Sequence, residues 1–200
     1  MNKFVRISLA VVALALCTGV LAHAGNNNLA TNGSFETGDF SGWTVSGDPT
    51  FTGVCDVSTC PGAFAPVDGN FAAYFGPVGN TATISQMIPT TPGDSYSLSF
   101  YLANPEGGTP NYFAVTFGNS TFSFTNFGVA FSWQQFTMTT VATGAETPLS
   151  FTFQNDPSYW FLDNIQVQQG GNTVPEPSTL VMFGSGALGL AGLIRRKIRV

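Results

Sequence analysis

The sequence predicts an all-β sandwich or jelly roll set between two targeting segments. Three observations carry that prediction. Between residues 25 and 169 the chain is rich in Gly, Thr, Ser, Asn and Phe, with turn residues about every ten positions and few helix signals. Within it, short runs alternate apolar and polar side chains. In Tyr96-Ser-Leu-Ser-Phe-Tyr-Leu, Tyr96, Leu98 and Phe100 share one face, and Ser97 and Ser99 the other. At each end of the chain an uncharged apolar run lies beside basic residues, the composition of a segment that meets a membrane.

Residues 1–24 read as a signal peptide. Lys3 and Arg6 form the positive region, Ile7 to Leu16 the apolar core, and Ala22-His23-Ala24 a small-x-small cleavage site before Gly25. Cys17 reads as one more apolar residue of that segment, because Leu16 before it is too large for a lipobox. Residues 25–169 then form one domain of ordinary size, long enough to bury about two-thirds of its unfolded surface.

The strands expected in that domain are 43–45, 71–75, 82–88, 96–103, 112–117, 121–124, 135–141, 149–154 and 160–168. Pro92-Gly93-Asp94 and Asn104-Pro105-Glu106-Gly107-Gly108 are the strongest turns between them. Alternation places Phe113, Val115 and Phe117 together, and Phe151 with Phe153, as core; Trp43, after a turn, is core as well. Cys55 and Cys60 are expected to close a small disulfide loop in an exported protein, the alternatives being a free pair or a metal pair without other soft ligands.

Residues 170–177 are a linker in which Pro175 and Pro177 keep the chain extended. Ser178 to Ile194 is a run of 17 uncharged residues, at the short limit for a membrane-spanning helix. Arg195, Arg196, Lys197 and Arg199, within the tail 195–200, hold that end on the cytoplasmic side.

Charge excludes much chemistry. All six basic residues (Lys3, Arg6, Arg195, Arg196, Lys197, Arg199) and the one histidine, His23, lie in the targeting segments. Of the 11 acids only Glu176 lies outside the domain, which therefore holds ten acids and no base. Nucleic acid and phosphate ligands find no cation. A serine or cysteine nucleophile finds no histidine, and histidine-based zinc sites are impossible. Carboxylate chemistry, hard-cation binding and aromatic recognition of neutral ligands remain.

Two resemblances follow from these residues. The tail Pro175-Glu176-Pro177, apolar run and Arg195-Arg196-Lys197 closely resembles the PEP-CTERM sorting tail of Gram-negative bacteria. It implies export, a membrane-tethered precursor, processing by an exosortase-type protease, and delivery to the cell surface or extracellular matrix. The second is carried by Asn32-Gly33-Ser34-Phe35-Glu36, Gly42-Trp43, Ile84-Ser85-Gln86-Met87-Ile88, Pro92 to Phe100, and Phe161-Leu162-Asp163-Asn164-Ile165. That series resembles the galactose-binding-like jelly roll of carbohydrate-binding modules. It implies a structural calcium held by Glu36 and Asp163 with backbone carbonyls, in keeping with the six to eight oxygens that Ca²⁺ takes. The alternative is that each carboxylate caps backbone N–H groups in a turn.

The leading functional expectation is a non-catalytic surface or matrix protein that binds or organises exopolysaccharide in a biofilm. Its candidate sugar-stacking residues are Trp133, Trp160, Tyr159 and Tyr112. Each also has a structural reading: Trp160 leads into the last strand and reads as core, whereas Trp133, at a loop-to-strand junction, is the best exposed candidate, and Tyr112 and Tyr159 stand beside loops rich in Pro and Asn. The runner-up is a structural or adhesive coat protein without a small ligand. Glycoside hydrolysis lacks a catalytic carboxylate signature, and ice binding lacks a fixed threonine period at Thr137, Thr139, Thr140 and Thr143.

Overall fold

Ten strands follow one another in the computed structural model, which describes residues 28–170. They are β1 (Thr44–Gly47), β2 (Thr52–Cys55), β3 (Ala72–Phe75), β4 (Ala82–Pro89), β5 (Ser95–Asn104), β6 (Asn111–Phe117), β7 (Ser120–Thr125), β8 (Phe131–Val141), β9 (Glu146–Asn155) and β10 (Trp160–Gln169). They form two five-stranded antiparallel sheets, β1-β4-β9-β6-β7 and β2-β3-β10-β5-β8. The architecture is the jelly-roll β-sandwich that the alternation predicts. The only helix among the described residues is a 3-10 turn at Pro61–Ala63. None of these is long and apolar enough to cross a membrane. The expected signal peptide, Pro175-Glu176-Pro177, the 178–194 span and Arg195-Arg196-Lys197 lie outside the described residues.

The inner faces of the sheets supply the core. Tyr96, Leu98, Phe100, Phe113, Val115, Phe117, Phe151 and Phe153 are all buried there, as period two demands. Phe75 stacks on Phe153 across the two sheets at 3.8 Å, with the planes 6° apart. Each such ring contributes about 1.5–3 kcal/mol by leaving water. Trp43 is core too, its indole N–H donating to Asn32 O at 3.2 Å.

The Asn-Gly-Ser-Phe-Glu segment has a physical reason for each residue. Asn32 takes a positive φ of 49° and its side-chain amide bonds Thr37 Oγ1 and Asp39 O. Gly33 passes so close to β10 that a Cβ there would lie 2.1 Å from Ile165 O. Phe35 is fully buried in the core, and Glu36 reaches out to a neighbouring loop.

Two of the expected elements change. β2 was not expected, and β8 begins at Phe131, so Trp133 lies within a strand and not at a loop-to-strand junction. The pairing registers gather five connections at one end of the sandwich, residues 48–51, 76–81, 105–110, 126–130 and 156–159. The loop from β2 to β3 does not stay at its own end; it folds across the outer face of the second sheet.

Candidate functional site

That outer face carries an aromatic strip. Alternation along β10 sends Trp160 and Leu162 into the core, so Phe161 points outward opposite Ala103 of β5 and Tyr74 of β3. Ala103 is small enough to leave room above it, and the loop from β2 fills that room with Phe64. The Phe64 ring lies 4.6 Å from Phe161 and 5.2 Å from Trp133. Tyr159 continues the strip, 6.4 Å from Phe161 and 5.7 Å from Tyr74.

Local bonds make this loop rigid. A Cys55–Cys60 disulfide closes its first turn. Inside it, Asp56 Oδ1 accepts from the N–H and hydroxyl groups of both Ser58 and Thr59, at 2.6–2.9 Å. The Ser58 hydroxyl, followed by that of Thr59, holds the Asp56 carboxyl below its ordinary range. Trp133 Nε1 donates to Ala65 O at 2.9 Å and pins the far side.

Tyr159 stands as a ridge between two clefts. One, of about 150 Å³, is bounded by Phe64, Phe161, Pro61, Pro105 and Glu106. The other, of about 240 Å³, is bounded by Phe51, Gly76, Val78, Asp156 and Pro157. Gly76 lets the ridge lie flat, since a Cβ there would sit 2.7 Å from the Tyr159 ring. Each cleft thus pairs apolar rings with one carboxylate at its edge. Rings of this kind stack on apolar sugar faces, and carboxylates accept from hydroxyls.

The four expected sugar-stacking residues separate. Trp133 and Tyr159 share the strip. Tyr112 lies on the outer face of the other sheet, opposite Gln154 and Thr125, away from both clefts. Trp160 is fully buried, stacked on Phe124 at 6.2 Å with its indole N–H donating to Gln154 O, and presents no face to a ligand. Its candidacy as a sugar platform is therefore corrected. Phe64, Phe161, Phe51, Glu106 and Asp156 were not singled out. The Tyr159-Trp160-Phe161 run held the missing signal: if Trp160 is core, its two neighbours face out.

Glu36 and Asp163 meet at one place, the loop 67–71. Asp163 Oδ2 accepts from the N–H groups of Val67 (2.9 Å) and Asp68 (3.0 Å), and Oδ1 from Asn164. Glu36 Oε1 accepts from Asn70 (2.8 Å) and Phe71 (3.0 Å). Burial pushes Asp163 up to about 7, against the pull of the Asp68, Asn164 and Val67 N–H groups, and the Asp68 carboxylate adds to the rise. This donor set is that of a clamp on backbone N–H groups. Among the described residues no three His, Cys, Asp or Glu side chains converge on a metal position.

Comparison with solved structures bears on the fold. The sandwich matches TmCBM61, solved in complex with beta-1,4-galactotriose, at 18% identity over 72% of this chain and 99% of that chain, with a TM-score of 0.58. It matches a family 16 carbohydrate-binding module at 17% identity, over 70% of this chain and 99% of that one, with a TM-score of 0.51. It also matches part of the enzymatically active domain of the bacteriophage CBA120 tailspike protein 4, at 16% identity and a TM-score of 0.53. There it spans 72% of this chain but 21% of the other. At these identities the likeness establishes the fold, that of β-sandwich carbohydrate-binding modules. No curated protein matches the chain. Residues 173–197 match the PEP-CTERM protein-sorting motif, so the chain carries the sorting signal of an exported, membrane-anchored precursor.

Proposed function

We propose that this is a non-catalytic surface protein that binds a neutral polysaccharide across the Tyr159 ridge and so organises exopolysaccharide around the cell. The observation that carries the reading is the pair of clefts sharing one exposed-edge tyrosine, each with aromatic walls and one carboxylate. Both clefts are below the ~300 Å³ of an ordinary small-molecule pocket. Their size and shallowness suit a polymer laid over the surface, one sugar ring in each cleft. Ten acids without a base disfavour an anionic polymer and leave neutral glycans as the matching class. The galactan fragment bound by TmCBM61 is the natural first probe.

Glu106 and Asp156 lie in different clefts on opposite sides of the Tyr159 ridge. They do not flank one cleft as the two carboxylates of a glycosidase flank one bond, which supports binding without hydrolysis. Glu36 and Asp163 are read as the loop clamp described above. The test is retention of segment 25–173 on a panel of insoluble polysaccharides. Tyr159→Ala weakens retention by about ten-fold, and Tyr112→Ala leaves it unchanged. Equal retention of both variants removes the ridge as the site.

A further inference from the structure

One flank of the sandwich is unlike the rest of the molecule. β7 ends the first sheet and β8 ends the second, so among the described residues this side presents two free strand edges stacked one over the other. Neither edge carries a charge or a proline: β7 reads Ser-Thr-Phe-Ser-Phe-Thr and β8 reads Phe-Ser-Trp-Gln-Gln-Phe-Thr-Met-Thr-Thr-Val. The opposite flank is guarded. Its edge strands β1 and β2 have four residues each and are followed directly by Asp48 and Asp56. Edge strands that must stay alone are usually short, charged or broken by proline. β8, with 11 residues, is none of these.

The charge distribution repeats the asymmetry. Between Glu106 and Glu146 there is not one charged side chain, and this stretch builds β6, β7 and β8. All ten acids of the domain lie elsewhere. Between the two free edges runs an apolar cleft of about 310 Å³, lined by Phe100, Val115, Phe122, Phe136 and Met138. Ser120 Oγ donates to Thr139 O at 2.8 Å and ties the two edges together at one end. Phe122 is 38%, Val129 63% and Val141 56% exposed along this side.

We propose that the β7–β8 flank is a self-association surface whose partner is a second copy of this chain. A free strand edge is complemented by another row of N–H and C=O groups, which a sugar polymer does not offer. An acidic domain approaches its own copy most easily through its uncharged side. One two-fold axis perpendicular to the sheets sets β8 against β8 and β7 against β7, both antiparallel, and joins the two clefts. At ~3.4 Å per residue along the 11 residues of β8 and ~10 Å between sheets, the flank covers on the order of 400 Å² per copy. That is below the ~800 Å² of a standard stable interface, so the association is weak and concentration-dependent.

Sedimentation velocity of segment 25–173 between about 5 and 500 µM reads this directly. The expected result is a rise from monomer to dimer across that range. Thr137→Asp, exposed near the middle of β8, brings like charges together at the axis and shifts the midpoint by roughly ten-fold or more. Phe122→Ser on the other edge acts in the same direction, which separates loss of the surface from misfolding of one variant. Met87→Asp adds the same charge on β4, 52% exposed and on another face, and leaves the midpoint where it was. Tyr159→Ala leaves it unchanged too, so failure of the glycan reading would not carry this one with it. A monomer throughout the range, or a dimer indifferent to Thr137→Asp and Phe122→Ser, overturns the proposal.

Discussion

Three consecutive residues, Tyr159, Trp160 and Phe161, show how much one position of alternation decides. The indole of Trp160 goes inward among Phe113, Phe124 and Phe131, while its neighbours face the clefts. Trp160→Ala should therefore cost about 3–5 kcal/mol of stability, seen as a large fall in melting temperature, and says nothing about ligand. Tyr159→Ala removes a half-buried ring at the surface and leaves melting nearly unchanged. Asp163 makes a second prediction. Its folded pKa of about 7 stands above the ordinary 3.8, so the folded state holds the proton more tightly than the unfolded one. Its contribution is complete below 3.8, declines as pH rises, and is gone above about 7. Stability should thus fall between those values by at most about 1.4 kcal/mol per pH unit. Asp163→Asn should flatten that slope in a series of melting curves; an identical slope in the variant contradicts the assignment.

The decisive element is the β2-to-β3 loop, because it carries Phe64 onto Phe161 and is held at both ends by buried or bonded groups. Opening the Cys55–Cys60 disulfide, which spans five positions, should cost about 2 kcal/mol by the loop-entropy estimate and weaken polysaccharide retention as Phe64 loosens. Melting and pull-down of Cys55→Ser/Cys60→Ser check both effects; retained binding at full strength would show that Phe64 is not a wall of the site. The sequence made most strands legible, since β4, β5, β6, β9 and β10 alternate over many residues. β2 was illegible for a physical reason. It has four residues, and Gly53 interrupts the pattern because a Cβ there would lie 2.7 Å from the Tyr74 hydroxyl. The start of β8 was hidden because Trp133 faces outward under Phe64 while the pairing with β5 slips between Leu102 and Asn104. Neither the loop's fold across the sheet nor the placing of Phe51 and Tyr159 on one cleft leaves any trace in local spacing.

At the scale of the molecule, charge and hydrophobicity are sorted by side. The ten acids all lie outside the stretch that builds β6, β7 and β8, and the β7–β8 flank is neutral. Binding of a neutral glycan at the ridge should be indifferent to salt between about 0.05 and 0.5 M, whereas an acidic polymer would be repelled at low salt. Glu36 and Asp163 both accept backbone N–H groups of loop 67–71; if those bonds alone hold the loop, EDTA leaves the melting temperature of segment 25–173 unchanged, whereas a marked fall on chelation places a calcium ion at Glu36 and Asp163. The most direct test of the central claim is the pull-down of segment 25–173 on neutral insoluble polysaccharides, wild type beside Tyr159→Ala. The account predicts retention of the wild type on at least one such glycan and its loss in the variant, with matching melting curves. Wild-type protein that passes through every neutral glycan, or is retained equally with and without the Tyr159 ring, would contradict it.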